Sequence, residues 1–187
     1  MKSAWILALA VMPVWGQAAK PAVAPSALTI NADLGPRIAP QSFTALEGRF
    51  DDALRRFKDP VDILGGTRAF YFRDYGLVLT TEVSLVVTPS ITPFRQQITR
   101  EEAARVHARK VAQIAPLKEA MKEMIKTAAM NVAPAVGPQF PESKLQVVLA
   151  VRLLYLPWED MTSLPAQIVM KADLRHAMAG DIQVDEQ

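Results

Sequence analysis

Alternation between apolar and polar residues is the clearest pattern in the chain, and it predicts the strands of a β-sheet. In GLVLTTEVSLVV, residues 76–87, the odd-numbered positions are apolar except for Thr81, while the even-numbered positions include Glu82. Successive side chains of a strand point to opposite faces of the sheet, so Glu82 belongs to the more polar face. A carboxylate on the core face would meet a large desolvation penalty. The pattern therefore predicts that Glu82 is exposed to solvent.

Three further segments have strand character. Turn-forming residues at 74–76 join the strand described above to the aromatic-rich segment before it, which favours a β-hairpin. The stretch LQVVLAVRLLYL has one wholly apolar face and one mixed face that carries Arg152, as expected of a central strand. The last predicted strand places Lys171 on its polar face. These three segments are residues 67–73, 145–156 and 167–172.

Apolar residues that recur every three or four positions predict two helices. The first begins near Thr44, which has the spacing of a capping box to Glu47. The second covers about residues 99–131 and begins at a second capping-box pair, Thr99 and Glu102. Each helix carries one apolar stripe for burial. The stripe of the first helix consists of Leu46, Phe50, Leu54 and Phe57.

Proline and glycine residues predict where these elements end or bend. Pro116 lies inside the second helix and cannot donate to the carbonyl group of Ala112, so a kink or a break into two helices is expected there. The pair at 65–66 is predicted to form a turn. Asp173 is placed to cap a last helical turn that ends at Gly180.

The elements follow the order helix, strand, strand, helix, strand, strand. An α+β two-layer sandwich, with a four-stranded and mostly antiparallel sheet and both helices packed on one face, buries every apolar stripe. The opposite face of the sheet is then expected to be polar. It would carry Tyr71, Arg73, Thr80, Glu82, Ser84, Gln146, Arg152, Gln167 and Lys171.

The N-terminal sequence MKSAWILALAVMPVWGQAAK predicts a secretory signal peptide, residues 1–18, cleaved after Ala18. Its apolar run of 12 residues is shorter than the ~20 residues of a membrane-spanning helix. Residues 19–41 are rich in proline and alanine and are predicted to form a flexible leader. Residues 42–180 are then expected to form a single α+β domain, followed by a C-terminal tail at 181–187. The expected location is the periplasm or the medium outside the cell, with no transmembrane segment after cleavage.

Composition narrows the classes of function. The chain contains no cysteine, which excludes disulfide bonds, thiol catalysis and thiolate metal ligands. Because Lys2 leaves with the signal peptide, 20 basic residues remain against 19 acidic ones. A nearly neutral protein is not expected to bind nucleic acid or an anionic membrane surface through charge alone.

Sequence motifs of common enzymes and cofactor sites do not occur in the chain. It has no GxSxG, no GxxxxGK[ST], no GxGxxG and no HExxH. The only two histidines, His107 and His176, are 69 positions apart, which gives little support for a zinc site. We therefore expect no catalytic residue, no metal and no cofactor, and the sequence favours a non-catalytic protein over an enzyme.

Four residues are candidates for binding a partner. Glu82, Arg152 and Lys171 could form a polar cluster on the open face of the sheet, although cross-strand ion pairs on a solvated face are the alternative explanation. Trp158 lies in a loop between two prolines, where an aromatic side chain can anchor a partner or can fold back to cover the edge of the core.

His107 and Lys110 interrupt the apolar stripe of the second helix. One interpretation is a buried general base beside a lysine with a lowered pKa. The other is a histidine at the margin of the core and a lysine whose stem lies on apolar surface while its amine reaches water. The sequence favours the second interpretation.

The stretches LTTEVSLVV, residues 79–87, and LPWEDMTSLPAQIVM, residues 156–170, resemble segments of exported bacterial proteins that have no assigned function. The resemblance extends over much of residues 44–180. It implies a bacterial envelope setting, and it supplies no catalytic residue, ligand or partner.

These observations favour an exported, non-catalytic domain that binds or scaffolds an envelope protein or polymer. One alternative is a hydrolase that uses carboxylates such as Glu82, Glu159 and Asp160, because paired acids suffice for glycoside cleavage. Another is a homo-oligomeric assembly component, because an open sheet leaves two edges for pairing.

Overall fold

The computed structural model describes residues 40–73, 75–89, 91–94, 97–136 and 145–187. The predicted signal peptide and nearly all of the predicted leader lie outside these residues, so both stay predictions. All described residues belong to one compact unit.

A mixed β-sheet of six strands and three helices form the described part of the chain. The strands pair in the order β1-β3-β4-β5-β6, and β2 also pairs with β3. The helices are α1 (Pro40–Arg55), α2 (Arg100–Val136) and α3 (Leu174–Ala179). The strands are β1 (Asp62–Ile63), β2 (Arg68–Phe72), β3 (Gly76–Ser84), β4 (Gln146–Leu153), β5 (Gln167–Asp173) and β6 (Gln183–Glu186).

The α+β class is confirmed, but the prediction of four strands is wrong in detail: the described residues form six strands in a mixed sheet, in which β3 and β4 pair in parallel and the other pairings are antiparallel. The two longest strands, β3 and β4, pair in parallel, with Leu77 opposite Val147 and Glu82 opposite Arg152. Parallel neighbours need a crossover connection, which is usually a helix, and α2 lies between these two strands in the chain. The strand pattern shows which residues share a face, but it does not show the direction in which neighbouring strands run.

Two strands were not predicted. The first is β1, which pairs with β3. Ile63 lies opposite Val83 and Arg68 lies opposite Thr80, so the four residues 64–67 face only the two residues 81–82. A bulge therefore separates β1 from β2. The other missed strand, β6, lies within the predicted tail and pairs with β5. All four of its residues are exposed, so its sequence has no apolar face from which to predict a strand.

One face of the sheet packs against all three helices in a single hydrophobic core. Phe50 of α1, Met121 of α2 and Leu174 of α3 are fully buried in the same cluster as Leu79 and Leu149 of the central strands. The predicted apolar stripe of α1 is confirmed for Leu46, Phe50 and Leu54, and Phe57 packs against the core beyond the end of the helix.

The prediction of which β2 residues face away from the helices is wrong by one position. Tyr71 lies opposite Leu77, a core residue, so Tyr71 lies on the helix side of the sheet and not on the opposite face. Phe70 and Arg68 lie opposite Val78 and Thr80 and take its place. In a strand, a shift of one residue exchanges the two faces, and the mixed sequence RAFYF does not fix the phase.

Helix α1 begins earlier than predicted, at Pro40, and Thr44 therefore lies inside the helix and does not cap it. Glu47 instead accepts a hydrogen bond from the N–H group of Ala69 at 2.9 Å. Asp51 accepts the N–H group of Thr67 at 2.9 Å and its hydroxyl group at 2.6 Å. Two carboxylates of α1 thus satisfy donors at the outer edge of the sheet.

The capping box predicted at the start of α2 and the Asp173 cap predicted for α3 are both present. Thr99 Oγ1 accepts the N–H group of Glu102 at 3.2 Å, and Glu102 Oε2 accepts the N–H group of Thr99 at 3.2 Å. Asp173 caps α3 by accepting the N–H group of His176, and this bond lowers the pKa of the Asp173 carboxyl group. Helix α2 continues through Pro116 as one element. Of the two outcomes predicted there, the break into two helices is therefore wrong, and the kink stays a prediction.

We expect Gly48→Ala to raise the free energy of unfolding by about 1 kcal/mol, because glycine is the weaker helix former by roughly that amount. Gly48 is exposed within α1, and no neighbouring atom lies within 4 Å of the position of an added Cβ. Urea unfolding followed by circular dichroism measures the change. A decrease in the free energy of unfolding would contradict the helical environment described for this residue.

Candidate binding site on the open face of the sheet

The open face is the face of the sheet opposite the helices. The register of the strands places its side chains in rows that run across the sheet. In one row, Glu82 of β3 lies beside Arg152 of β4, which lies beside Gln167 of β5. The next row runs from Arg68 of β2 through Thr80, Ala150 and Val169 to Asp185 of β6. Glu82 is exposed, which confirms its predicted place on the polar face.

A cavity of about 360 Å³ lies on the open face. Its floor includes the small residues Thr80 and Ala150 on the two central strands, and the longer side chains stand around them. The bulge between β1 and β2 adds glycine backbone to its wall. Sites for small molecules have volumes of roughly 300–1,000 Å³, so the cavity is large enough for a small ligand or for one end of a larger one. The longer lining residues are Arg68, Glu82, Arg152 and Gln167.

The charged groups of this cavity are only loosely held. Glu82 Oε1 and Arg152 Nη1 are 3.3 Å apart, and their side chains are 49% and 64% exposed. Exposed pairs of this kind contribute only about 0–1 kcal/mol, so Arg152 can leave Glu82 for a ligand with little loss. The side chain of Arg68 has no hydrogen-bond or ion-pair partner among the described residues. Within the described part of the chain, the lining therefore has two positive groups and one negative group.

The structure brings together two of the four predicted binding residues. Glu82 and Arg152 are neighbours because β3 and β4 pair in parallel. Lys171 is on the same face but lies opposite Val148, four residues along β5 from the partner of Arg152, which corresponds to ~13 Å. Trp158 is half-buried in the loop between β4 and β5 and does not line the cavity.

The sequence did not predict Arg68 as a site residue, nor the small residues that create the cavity. The alternation that fixed the face of Glu82 could have placed Arg68 on the same face if the phase of β2 had been known. The cavity itself depends on Thr80 lying opposite Ala150. That juxtaposition is a matter of register between residues 70 positions apart, for which the sequence pattern contains no signal.

An apolar strip adjoins the cavity along the next row of the open face. Phe70, Val78 and Val148 lie side by side across three strands, and Lys171 on β5 lies beyond the end of this strip. The side chain of Phe70 is 50% exposed, whereas Val148 is 8% exposed. The open face therefore offers a charged cavity next to an aromatic and aliphatic surface.

A second group of functional side chains is buried between α2 and the loop that joins β4 to β5. Lys110 Nζ forms an ion pair with Glu159 Oε2, and the two side chains are 1% and 2% exposed. The same amine lies 4.8 Å from the ring centroid of Tyr155. Burial, followed by the charge of Glu159, raises the pKa of Tyr155 to about 12. The prediction that the amine of Lys110 reaches water is therefore wrong.

The same contacts attach the β4–β5 loop to the long helix. His107 Nδ1 lies 3.0 Å from the carbonyl oxygen of Asp160. Tyr155 donates its hydroxyl hydrogen bond to the carbonyl oxygen of Pro165 at 2.7 Å. Because the Lys110 amine, Glu159 Oε2, the Tyr155 hydroxyl group and His107 Nδ1 each have a partner within the protein, the cluster has the character of a structural attachment rather than of an open site.

No group of three or more histidine, cysteine, aspartate or glutamate side chains in the described part of the chain is arranged to hold a metal ion. No helix of the described ranges is both long enough and apolar enough to cross a membrane.

The fold and the site together define an α+β domain with a mixed six-stranded sheet and a cavity on the open face of that sheet. In comparisons with known proteins, no family model, no curated protein and no solved structure matches this chain. Its function has to be inferred from its own residues.

Proposed function

We propose that the protein is a non-catalytic binding domain of the bacterial envelope, and that the open face of the sheet receives its partner. The observation that carries this proposal is the cavity on that face, with small residues at its floor and with two arginines, a glutamate and a glutamine around it. Binding sites combine a concave, largely apolar surface with a few polar groups that fix orientation. The apolar strip that contains Phe70 extends this surface beyond the cavity.

The envelope location is part of the same proposal. It is supported by the signal-peptide pattern of residues 1–18 and by the proline-rich segment after it. A domain without cysteine must obtain its stability from its core, and the core described above joins all three helices to the sheet.

The alternative of a carboxylate-dependent hydrolase has less support. Two catalytic carboxylates in a glycosidase stand about 5 to 9.5 Å apart across the substrate, whereas Glu82 is the one carboxylate among the described residues that line the cavity. Glu159 is buried in its pair with Lys110. Hydrogen bonds from Thr162 lower the pKa of Asp160, which is the opposite of what a general acid needs.

The alternative of oligomerisation through a sheet edge is also less favoured. At one edge, Glu47 and Asp51 of α1 already occupy N–H groups of residues 67 and 69. At the other edge, β6 is only four residues long and carries Asp185 and Glu186. Short and charged edge strands are a common protection against pairing with another chain.

A substitution that fills the cavity tests the proposal. Ala150→Phe places a bulky side chain at the centre of the open face, where aromatic residues suit a strand, and we expect the free energy of unfolding to change by less than about 1 kcal/mol. We expect the variant to lose the partner that the tagged wild-type protein retains from an envelope extract. Mass spectrometry of the retained material measures the difference.

The matched control is Val184→Phe, which adds the same ring at an exposed position of β6. Val184 lies opposite Met170, a core residue, and is therefore on the other side of the sheet. Retention of the same partner by this control and loss by Ala150→Phe would support the proposal. Equal retention by all three proteins would exclude the open face as the binding surface.

A further inference from the structure

We infer that the cavity on the open face binds a single carboxylate group, held between Arg68 and Arg152, on a ligand that also has an apolar part. The inference rests on the proposed function, because it names the class of ligand that the same site would take. It follows from the charge of the lining, from the position of the two arginines and from the surface next to them.

The balance of charge favours one negative charge on the ligand. With Arg68, Arg152 and Glu82 around it, the cavity has an excess of one positive charge. A monoanion neutralises that excess, whereas a dianion such as phosphate would leave unpaired negative charge close to Glu82. Like charges at short range are repelled, so the glutamate selects against the more highly charged ligand.

The positions of the arginines suit a carboxylate. They lie on β2 and β4, on either side of β3, in adjacent rows: Arg68 lies opposite Thr80, and Arg152 lies opposite Glu82. The small side chain of Thr80 leaves space beside Arg68. Neighbouring strands are ~4.8 Å apart and residues two apart in a strand are ~7 Å apart, so the two backbone positions are about 12 Å apart, a gap that two long side chains can close from both sides. The guanidinium group offers paired N–H donors that match the two oxygens of a carboxylate.

The neutral groups around the cavity describe the rest of the ligand. The amide of Gln167 is a further polar group of the lining, and it can donate or accept a hydrogen bond. Phe70 and Val78 form the adjoining apolar strip, and an exposed aromatic ring there can pack against a flat apolar group. The ligand class is therefore a carboxylic acid with an aromatic or aliphatic body.

Titration of the purified protein with benzoate, followed by nuclear magnetic resonance, tests the inference. We expect a Kd on the order of 1 mM, as is usual for a ligand of this size, with shifts centred on Thr80 and Ala150. Benzamide has the same shape without the charge, and we expect it and inorganic phosphate to bind at least about tenfold more weakly.

Substitution of the arginines gives the second readout. We expect Arg68→Gln and Arg152→Gln each to weaken benzoate binding about tenfold, the usual effect of losing a charge-assisted hydrogen bond. Lys171→Gln is the matched control, because it removes the same charge from the open face at a position outside the cavity, and we expect a change of less than about twofold. All three residues are exposed, so the variants are expected to fold.

The carboxylate could belong to a small acid or to the end of a peptide. Tetra-alanine with a free C-terminus and the same peptide with an amidated C-terminus distinguish these sources. If the free peptide binds more tightly than benzoate and the amidated peptide does not bind, the inference is supported and the carboxylate belongs to a chain terminus. Tighter binding of benzoate supports it with a small acid as the source.

Equal binding of benzoate and benzamide, or an equal effect of Lys171→Gln and the two arginine substitutions, would overturn the inference. Its failure can be distinguished from failure of the proposed function. If benzoate does not bind but Ala150→Phe abolishes capture of the envelope partner, the binding domain stands and the carboxylate site is wrong. If benzoate binds but capture is unaffected, the carboxylate site stands and the proposed envelope function is wrong.

Discussion

Lys110→Met is expected to lower the free energy of unfolding by about 3 to 5 kcal/mol, the loss typical of a buried ion pair from which one partner is removed. Methionine keeps most of the side-chain volume, so the effect reports charge rather than a cavity. The substitution removes the ion-pair partner of Glu159, whose side chain is only 2% exposed. Its other carboxylate oxygen, Oε1, is already buried without a hydrogen bond among the described residues. Urea unfolding at neutral pH measures the change.

The neighbouring residue provides a matched control. Arg109, on the same helix as Lys110, forms an ion pair with Asp59 of the segment between α1 and β1, and the side chain of Arg109 is 45% exposed. The hydrogen bond from Arg109 lowers the pKa of Asp59, but an exposed pair of this kind is worth at most about 1 kcal/mol. We expect Arg109→Met to lower the free energy of unfolding by no more than that. Equal losses in Lys110→Met and Arg109→Met would contradict the burial of the Lys110–Glu159 pair.

The double variant Lys110→Met/Glu159→Leu separates two contributions. Replacement of a whole buried ion pair with apolar residues of similar size is often neutral or stabilising. We therefore expect the double variant to be more stable than Lys110→Met alone, and we expect a double-mutant cycle that includes Glu159→Leu to give a coupling energy of up to about 3 kcal/mol. That outcome would show that most of the penalty in Lys110→Met comes from the abandoned carboxylate.

Gly76→Ala is expected to lower the free energy of unfolding by about 3 kcal/mol or more. Gly76 has a φ of 126°, a conformation that L-residues avoid at a penalty on the order of 1–3 kcal/mol. An added Cβ would also lie 2.0 Å from the carbonyl oxygen of Gln146. The backbone must therefore move where β3 and β4 begin to pair, which weakens the centre of the sheet as well as straining one residue.

Gly180→Ala is the control for the conformational part of this effect. Gly180 also has a positive φ, 84°, but no atom lies within 4 Å of an added Cβ. We expect Gly180→Ala to lower the free energy of unfolding by about 1–2 kcal/mol, the penalty for a left-handed conformation alone. A loss in Gly76→Ala no larger than in Gly180→Ala, measured by the same unfolding experiment, would mean that the close approach to Gln146 is not a constraint.

The candidate site was only partly predictable. The alternation of residues 76–87 placed Glu82 on the solvent face, and the pattern of β4 placed Arg152 on the same face, because each pattern depends on one strand alone. Their proximity to each other, and the presence of Arg68 beside them, depend on the parallel register of β3 with β4 and on the bulge before β2. Lys171 illustrates the limit: its face was predicted correctly, but its distance from Arg152 depends on the alignment of β5 with β4.

The sequence by itself determined the local properties of this protein: which side chains of each strand and helix are apolar, the capping of α2 at Thr99 and the short helix capped by Asp173. These follow from interactions within one element or one turn, over a few residues. Only the tertiary structure decided that β3 and β4 run in parallel, that the exposed residues 183–186 add a sixth strand, and that Lys110 is buried. The parallel pairing and the burial of Lys110 depend on partners far along the chain, such as Glu159, 49 positions from Lys110. The sixth strand depends on its pairing with β5, 12 to 18 positions away. A periodic pattern reports the faces of an element, whereas the partner that meets each face is chosen by the packing of the whole chain.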